Sequence, residues 1–169
     1  VLQQLDYIRT TDTGLERDQI ISISSTDPEL WDSYKTLEQE LLKNPSIESI
    51  STAQHQPTAV TSRTTLTEWD ELDIEKELQI YISPVGFNFI ELFGIEIIAG
   101  RSFSEELYNE NSADFLLNEA ALKELGWTAQ EAIGKPFKAW GNEGTIVGVV
   151  KDFNFLSLYQ DIAPLTLML

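Results

Sequence analysis

Gly144-Thr145-Ile146-Val147-Gly148-Val149-Val150-Lys151-Asp152-Phe153-Asn154-Phe155, followed by Ser157-Leu158 and Ile162-Ala163-Pro164-Leu165, reads as a buried strand that ends in a fixed turn. Residues 145–150 are apolar on both faces, as a strand covered on two sides must be, and Gly148 among them marks a bulge or a close backbone approach. Such a strand belongs at the centre of a sheet. Just upstream, Trp140-Gly141-Asn142-Glu143-Gly144 has the composition of a hairpin turn, so 134–140 and 144–152 are expected as paired strands. Asp152 falls where the central strand ends and is expected to cap or stiffen the turn, with Lys151 structural beside it.

Working towards the N-terminus, residues 115–117 form a short expected strand. Asn118 then caps a helix with Leu122 and Leu125 inward and Gly126 at its end. Leu78, Ile80 and Ile82 alternate with Glu77, Gln79 and Tyr81, which predicts a half-buried strand with one wet face. Ser83-Pro84 is expected to cap a helix carrying Phe87, Phe89, Ile90, Leu92 and Phe93 that Gly94 stops, lying between two layers because its apolar band is wide. Residues 53–71 change character and lead into a second lobe.

Residues 19–24 alternate enough for a strand, with Ile21 and Ile23 on one face. Asp27 offers an N-cap, Pro28 the first helical position, and Leu30, Tyr34, Leu37 and Leu41 follow at helical spacing until Asn44-Pro45. Residues 47–52 would be the next strand, giving a strand, helix, strand unit. Leu2, Leu5 and Ile8 fit either a helix emerging from a membrane or a surface helix.

The chain has 169 residues, enough for one domain or two small ones, and an ordinary apolar fraction of 42%. Its 11 basic and 28 acidic residues give a net charge of −17, which repels nucleic acid and anionic lipid alike. Cysteine is absent, so disulfides and thiolate metal sites are excluded. No run reaches about 18 apolar residues, and no signal peptide is evident. Both ends are abrupt and suggest an excised segment.

No constellation carries chemistry, and no catalytic, cofactor-binding or metal-ligating residue is assigned. His55 is the sole histidine, which rules out a His pair for a metal, and no Gly-x-Ser-x-Gly elbow surrounds any serine. It reads as a solvated or hydrogen-bonded loop residue. Gly134-Lys135 fails as a phosphate loop, because Ala129 and Pro136 stand where a glycine and a Ser or Thr are needed. Gly134 instead supplies a positive φ, and Pro136 opens an edge strand. Carboxylates adjacent in sequence, such as Glu105 with Glu106 or Asp70 with Glu71, read as solvated surface. Among Trp31, Trp69, Trp127, Trp140, Tyr7 and Tyr108, most are expected in the core. Trp31 lies off the helix stripe and faces the other lobe or a partner.

The opening stretch resembles the extracytoplasmic domain of FtsX-like ABC-transporter permeases, the MacB-like periplasmic core domain, where "GVVKDF" precedes an aromatic, "SL" and "I-x-PL". Three further segments match in order: Phe93-Gly94-Ile95 with Gly100-Arg101-Ser102-Phe103, Asn118-Glu119-Ala120-Ala121 with Leu125-Gly126, and Gly134-Lys135-Pro136-Phe137. The likeness covers residues 81–169, with a looser match back to about residue 1. It implies an α+β fold in two lobes. Residues 1–55 plus 142–169 would form a membrane-proximal strand-helix-strand lobe completed by the C-terminal strands, and 56–141 a second, mixed α/β lobe inserted into it. The chain ends would approach one another.

The resemblance further implies a non-catalytic domain between the first two membrane helices, on the periplasmic or extracytoplasmic side of the inner (cytoplasmic) membrane. It would couple ATP-driven motion to export, lipoprotein release or an envelope partner. Its partners would be its own transmembrane helices, a separate ATP-binding subunit or domain, a periplasmic or outer-membrane protein, and a second copy of the full-length permease; no nucleic acid and no cofactor is implied. The alternative is an extracytoplasmic ligand-binding sensor with a pocket lined by Phe87, Phe89 and Trp127. A carboxylate hydrolase is a third reading, which needs two acidic side chains facing each other across a cleft.

Overall fold

A computed structural model describes residues 13–16, 18–66, 77–158 and 160–169. Seven strands form one mixed sheet: β1 (Arg63–Leu66), β2 (Leu78–Pro84), β3 (Ile97–Gly100), β4 (Ala113–Asn118), β5 (Pro136–Ala139), β6 (Asn142–Val150) and β7 (Leu165–Met168). Their order is β1-β2-β7-β4-β6-β3. On the far edge of β6, β5 pairs with 142–145 and β3 with 148–150. The pairs β2 with β7 and β4 with β6 are parallel, and the others antiparallel. The sheet curls until β1 comes against β5. The helices are α1 (Pro28–Asp32), α2 (Tyr34–Leu41), α3 (Phe89–Leu92), α4 (Glu119–Leu125) and α5 (Ala129–Ala132).

The stretch that opened the sequence reading is β6, the hub of the sheet, hydrogen-bonded along both edges and buried from Ile146 to Val150. Both readings of Gly148 hold. The register against β4 slips there, with Phe115 opposite Ile146 and Leu116 opposite Gly148. A Cβ on Gly148 would also collide with the Arg101 carbonyl oxygen and a Leu116 methyl. The extra residue re-phases the alternation, so Ile146 and Val149 face one side and Val147 and Val150 the other. On the first side, Ile80, Ile82, Phe115 and Leu117 join them under Leu122 and Leu125 of α4. The second side packs on Phe89, Ile90, Phe93, Phe153 and Phe155. Two covered faces are why the strand reads as a continuous apolar run; each fully buried Ile, Val or Phe contributes about 1.5–3 kcal/mol.

The local chemistry of α4 is as expected: the Asn118 side chain accepts the Ala121 N–H, and Gly126 closes the helix. Thr128 and Glu131 form a reciprocal capping box on α5. Between β5 and β6 the two-residue turn places Trp140 at φ 53° and Gly141 at φ 77°, the left-handed pair whose twist suits a tight hairpin.

Other expectations are corrected. Ser83-Pro84 does not cap a helix: β2 keeps pairing with β7 as far as Pro84 opposite Met168, and α3 starts only after Asn88, at φ 64°. The long helix of 27–43 forms, capped by Asp27 (Oδ1 accepts the Glu29 N–H, 3.0 Å), but breaks at Ser33, whose hydroxyl donates to the Glu29 carbonyl at 2.6 Å. Residues 19–24 and 47–52 form no strand: among the described residues no other strand lies alongside to complete a ladder, and the nearest pairing is a single bridge from Ala53 to Val85. Strands β6 and β7 bond to β2, β3, β4 and β5 in one sheet. The first twelve residues, and with them one of the two ends expected to approach, lie outside the described residues. The Asn154 N–H donates to the Thr13 carbonyl (2.9 Å) beyond the end of β6, and the Leu169 N–H donates to the Asp114 carbonyl (3.0 Å) at the start of β4. Because β7 runs antiparallel to β4, these places are separated by the length of β4, about 20 Å for a strand of this size. The helix expected at residues 1–10, with Tyr7, and Trp69, Asp70 and Glu71 lie outside the described residues.

Candidate functional site

His55 sits half-buried in a loop with Nε2 2.7 Å from the Ser62 hydroxyl, a hydrogen bond that accounts for it without chemistry. Lys135 lies with its Nζ 4.8 Å above the Trp127 ring. Gly134 has the expected positive φ, 82°, and its N–H donates to the Ile146 carbonyl. Of the adjacent pair Glu105 and Glu106, Glu105 reaches Lys35 at 3.3 Å. Among the described residues, no group of three or more His, Asp or Glu could hold a metal ion. The three aromatics proposed for a sensor pocket do not meet: Phe87 and Phe89 belong to one face of the sheet and Trp127 to the other.

The densest polar junction instead joins β4, α4, β6 and β7. Asn118 is 1% exposed, and its Oδ1 accepts from both the Ala121 N–H (3.0 Å) and the Leu165 N–H (2.8 Å), while Nδ2 donates to the Ala163 carbonyl (3.0 Å). One side chain thus starts α4 and admits β7 to the sheet. Next to it, Asp152 Oδ1 accepts the Ala120 N–H (3.0 Å) and Glu119 Oε2 accepts the Asp152 N–H (3.0 Å), a reciprocal clasp between α4 and the end of β6. Burial pushes the Asp152 carboxyl up from its ordinary value; the Ala120 N–H opposes the shift, and the Glu119 charge adds to it. Lys151 pairs with Glu96 at 2.8 Å, fastening the same strand end to the approach of β3. The structural role expected for Lys151-Asp152 is what the geometry displays.

A second feature is an arm of residues 18–52. At its two roots the Glu16 N–H donates to the Phe93 carbonyl and the Gly86 N–H to the Thr52 carbonyl. Ile20 and Ala53 pack against the core, whereas none of residues 18–52 is buried. Trp31 is 52% exposed there. The Tyr34 hydroxyl donates to Glu38, and burial together with that carboxylate pushes its pKa up to about 12. Lys35 to Glu105 is an ion pair between the arm and the loop joining β3 to β4, exposed at both ends. Near the start of β4 an open recess of about 350 Å³ is lined by polar groups including Glu110, Asn111, Asn142 and Glu143. The Glu143 carboxyl is held below its ordinary range by Lys138.

Sequence reasoning missed the double duty of Asn118, because a cap residue identifies its own helix but not the strand that arrives 47 residues later. It also missed the exposure of the arm.

A curled mixed sheet with α4 and α5 on one face, α3 and aromatic loops on the other, and an acidic, solvent-exposed arm define an α+β domain. The chain belongs to the MacB-like periplasmic core domain family, whose model matches residues 5–168. This places it with the extracytoplasmic domains of ABC-transporter permeases. Among solved structures it is similar to the periplasmic region of MacB from Actinobacillus actinomycetemcomitans (TM-score 0.52, 16% identity, 78% of this chain and 62% of that one). It is also similar to the extracellular domain of the noncanonic ABC-type transporter YknZ from Gram-positive bacteria (0.46, 16%, 65% and 50%). A domain of a putative permease from Porphyromonas gingivalis gives 0.44, 19%, 71% and 49%. The chain therefore spans between about half and three fifths of these structures. No curated protein matches it significantly in sequence. Among the described residues, no helix is long and apolar enough to cross a membrane.

Proposed function

We propose that this chain is a non-catalytic moving part of an ABC-transporter permease of the inner membrane, relaying ATP-driven motion to export, lipoprotein release or an envelope partner. The match over residues 5–168 carries the reading. ATP hydrolysis would belong to a separate subunit or domain, and the full-length permease would act as a dimer through its own membrane helices. The architecture supports a load-bearing role: β6 is held on both edges, and force applied along its axis meets many ladder hydrogen bonds in parallel. The lobe boundary expected near residue 55 enters the proposal as the place where the arm rejoins the sheet, beside Val85 and Gly86. The sensor reading is not favoured, since its aromatics are divided between two faces.

The test uses the full-length permease with its ATP-binding partner, spin-labelled at Trp31→Cys on the arm and Trp140→Cys at the β5-β6 turn, both exposed positions. The distance distribution between the labels should differ between nucleotide-free and ATP-bound states. Identical distributions in every nucleotide state, while ATP is being hydrolysed, would overturn the proposal.

A further inference from the structure

The loop of 101–112 between β3 and β4 is anchored and folded on itself. Phe103 is buried in the core, the Leu107 N–H donates to the Ser104 carbonyl (3.2 Å) and the Ser112 N–H to the Asn109 carbonyl (3.0 Å), so two turns shape its outer part. Between those turns stand Leu107 and Tyr108, 61% and 45% exposed. The Tyr108 ring is set edge-on to Phe87, 5.6 Å between centroids, which fixes its position without burying it. Lys35 reaches Glu105 of this loop at 3.3 Å and lies one helical turn from Trp31, which is also exposed. The helical path continues through the break at Ser33, since the Ser33 N–H donates to the Glu29 carbonyl and the Leu37 N–H to the Ser33 carbonyl. Trp31 therefore flanks the loop, off the stripe of Leu30, Tyr34, Leu37 and Leu41. Single exposed apolar residues are ordinary, but three from two segments tied by an ion pair make a patch.

We propose that this patch is a docking surface for a basic segment of a partner protein, with Trp31, Leu107 and Tyr108 as apolar anchors and the carboxylates around them as a charged rim. Charge selects the occupant. Glu105, Glu106 and Glu110 are exposed in the loop, and Glu29 and Asp32 are exposed in the same helix as Trp31. Among the described residues neither Glu106 nor Glu110 has a cation within ion-pair distance, whereas Lys35 and Arg101, the cations nearest the patch in sequence, are held by Glu105 and Asp114. A Lys or Arg of the partner would meet the carboxylates at the rim and the faces of Trp31 and Tyr108 within it. The open recess beside Tyr108, lined by Glu110, Asn111 and Asn142, would admit such a side chain. A second copy of this chain, an anionic membrane and nucleic acid all carry the sign of the patch and of the chain at −17, and are repelled. Trp and Tyr are the side chains that most often dominate an interface, and a loop already fixed by its turns loses little freedom on binding. Docking here deepens the envelope-partner reading and rests on it for a partner that meets the domain outside the membrane.

The test uses the full-length permease in cells, with photo-reactive benzoyl-phenylalanine in place of Leu107, of Trp31 or, as a control on α4, of the exposed Glu124. Illumination should join the Leu107 and Trp31 positions, and not Glu124, to one other protein, at a segment that mass spectrometry finds rich in Lys and Arg. Glu106→Lys with Glu110→Lys should cut that yield ~10-fold or more, and replacing the mapped basic residues of the partner by Glu should restore it in the same variant. Chance contact shows no such charge swap. Should the double variant not fold, the unaltered surface decides, through a comparable fall in yield on isolated membranes as salt rises from about 50 to about 500 mM. Cross-links to a second copy, to lipid or to other residues of the same chain overturn the proposal. So do the absence of any cross-link, equal cross-linking from Glu124, and a yield indifferent to charge reversal and salt. Nucleotide-dependent label distances without a cross-link would sink this surface alone, and a cross-link with unchanging distances would sink the moving-part reading alone.

Discussion

Replacing Asn118 with Ala should be among the most damaging single changes in this domain. The side chain is 1% exposed and makes three hydrogen bonds to backbone groups. Its loss strands the N–H of Ala121 and that of Leu165, both on fully buried residues, and the Ala163 carbonyl. An unsatisfied buried donor costs about 1–3 kcal/mol, so the two N–H groups alone come to roughly 2–6 kcal/mol; the lost helix cap is one of these two contributions and is not added again. A middle value of about 4 kcal/mol is a large part of the 5–15 kcal/mol typical of a folded domain. At this chain length it corresponds to a Tm lower by about 8–16 °C. Urea denaturation followed by tryptophan fluorescence measures the difference, and hydrogen exchange at Ala121 and Leu165 locates it. Asn118→Asp keeps both acceptor bonds but loses the donor to Ala163 and adds a charge beside Asp152 and Glu119, so it too should be destabilising. A loss below about 1 kcal/mol for Asn118→Ala would refute the reasoning, since among the described residues no other side chain accepts from those two N–H groups.

Gly148→Ala should destabilise by about 1–3 kcal/mol, the usual cost of overpacking, because its Cβ meets the Arg101 carbonyl oxygen and Leu116; the shift in urea midpoint checks it. Asp152→Asn tests the pH linkage. The folded-state pKa of Asp152 is raised, so its contribution is fully present below the unfolded value and is lost as pH rises through the folded one. The Tm of the parent minus that of Asp152→Asn should therefore fall as pH rises across the acidic range, and a rising difference would contradict the assignment. Glu105→Gln removes an ion pair exposed at both ends and should change stability by less than about 1 kcal/mol, measured by the same denaturation.

The parts of the fold legible in the sequence are those where local chemistry and burial agree. Residues 145–150 could be placed at the centre of a sheet because two covered faces demand an unbroken apolar run, and α4 could be placed because Asn118 and Gly126 mark its ends. The Trp140-Gly141 turn was legible for the same kind of reason, a backbone conformation that few residue types favour. Strand β1 was not, since Arg63-Thr64-Thr65-Leu66 offers one buried side chain and owes its state to β2 beside it. The short helix α5 carried its signature in Thr128 and Glu131, a capping box that the hydrophobic pattern alone does not reveal. Residues 19–24 show the reverse failure: alternation reports that a segment is fit for a sheet, not that a partner strand is at hand. The junction at Asn118 was half legible, as a cap, because its second bond joins segments distant in sequence.

Membrane sidedness tests the central claim most directly. The 169-residue sequence has no cysteine, so Trp140→Cys at the exposed β5-β6 turn introduces a single thiol into this domain. A membrane-impermeant maleimide, applied to cells whose inner membrane is intact, should label that thiol in the full-length protein. Labelling only after the inner membrane is breached would place the domain in the cytoplasm and contradict the account.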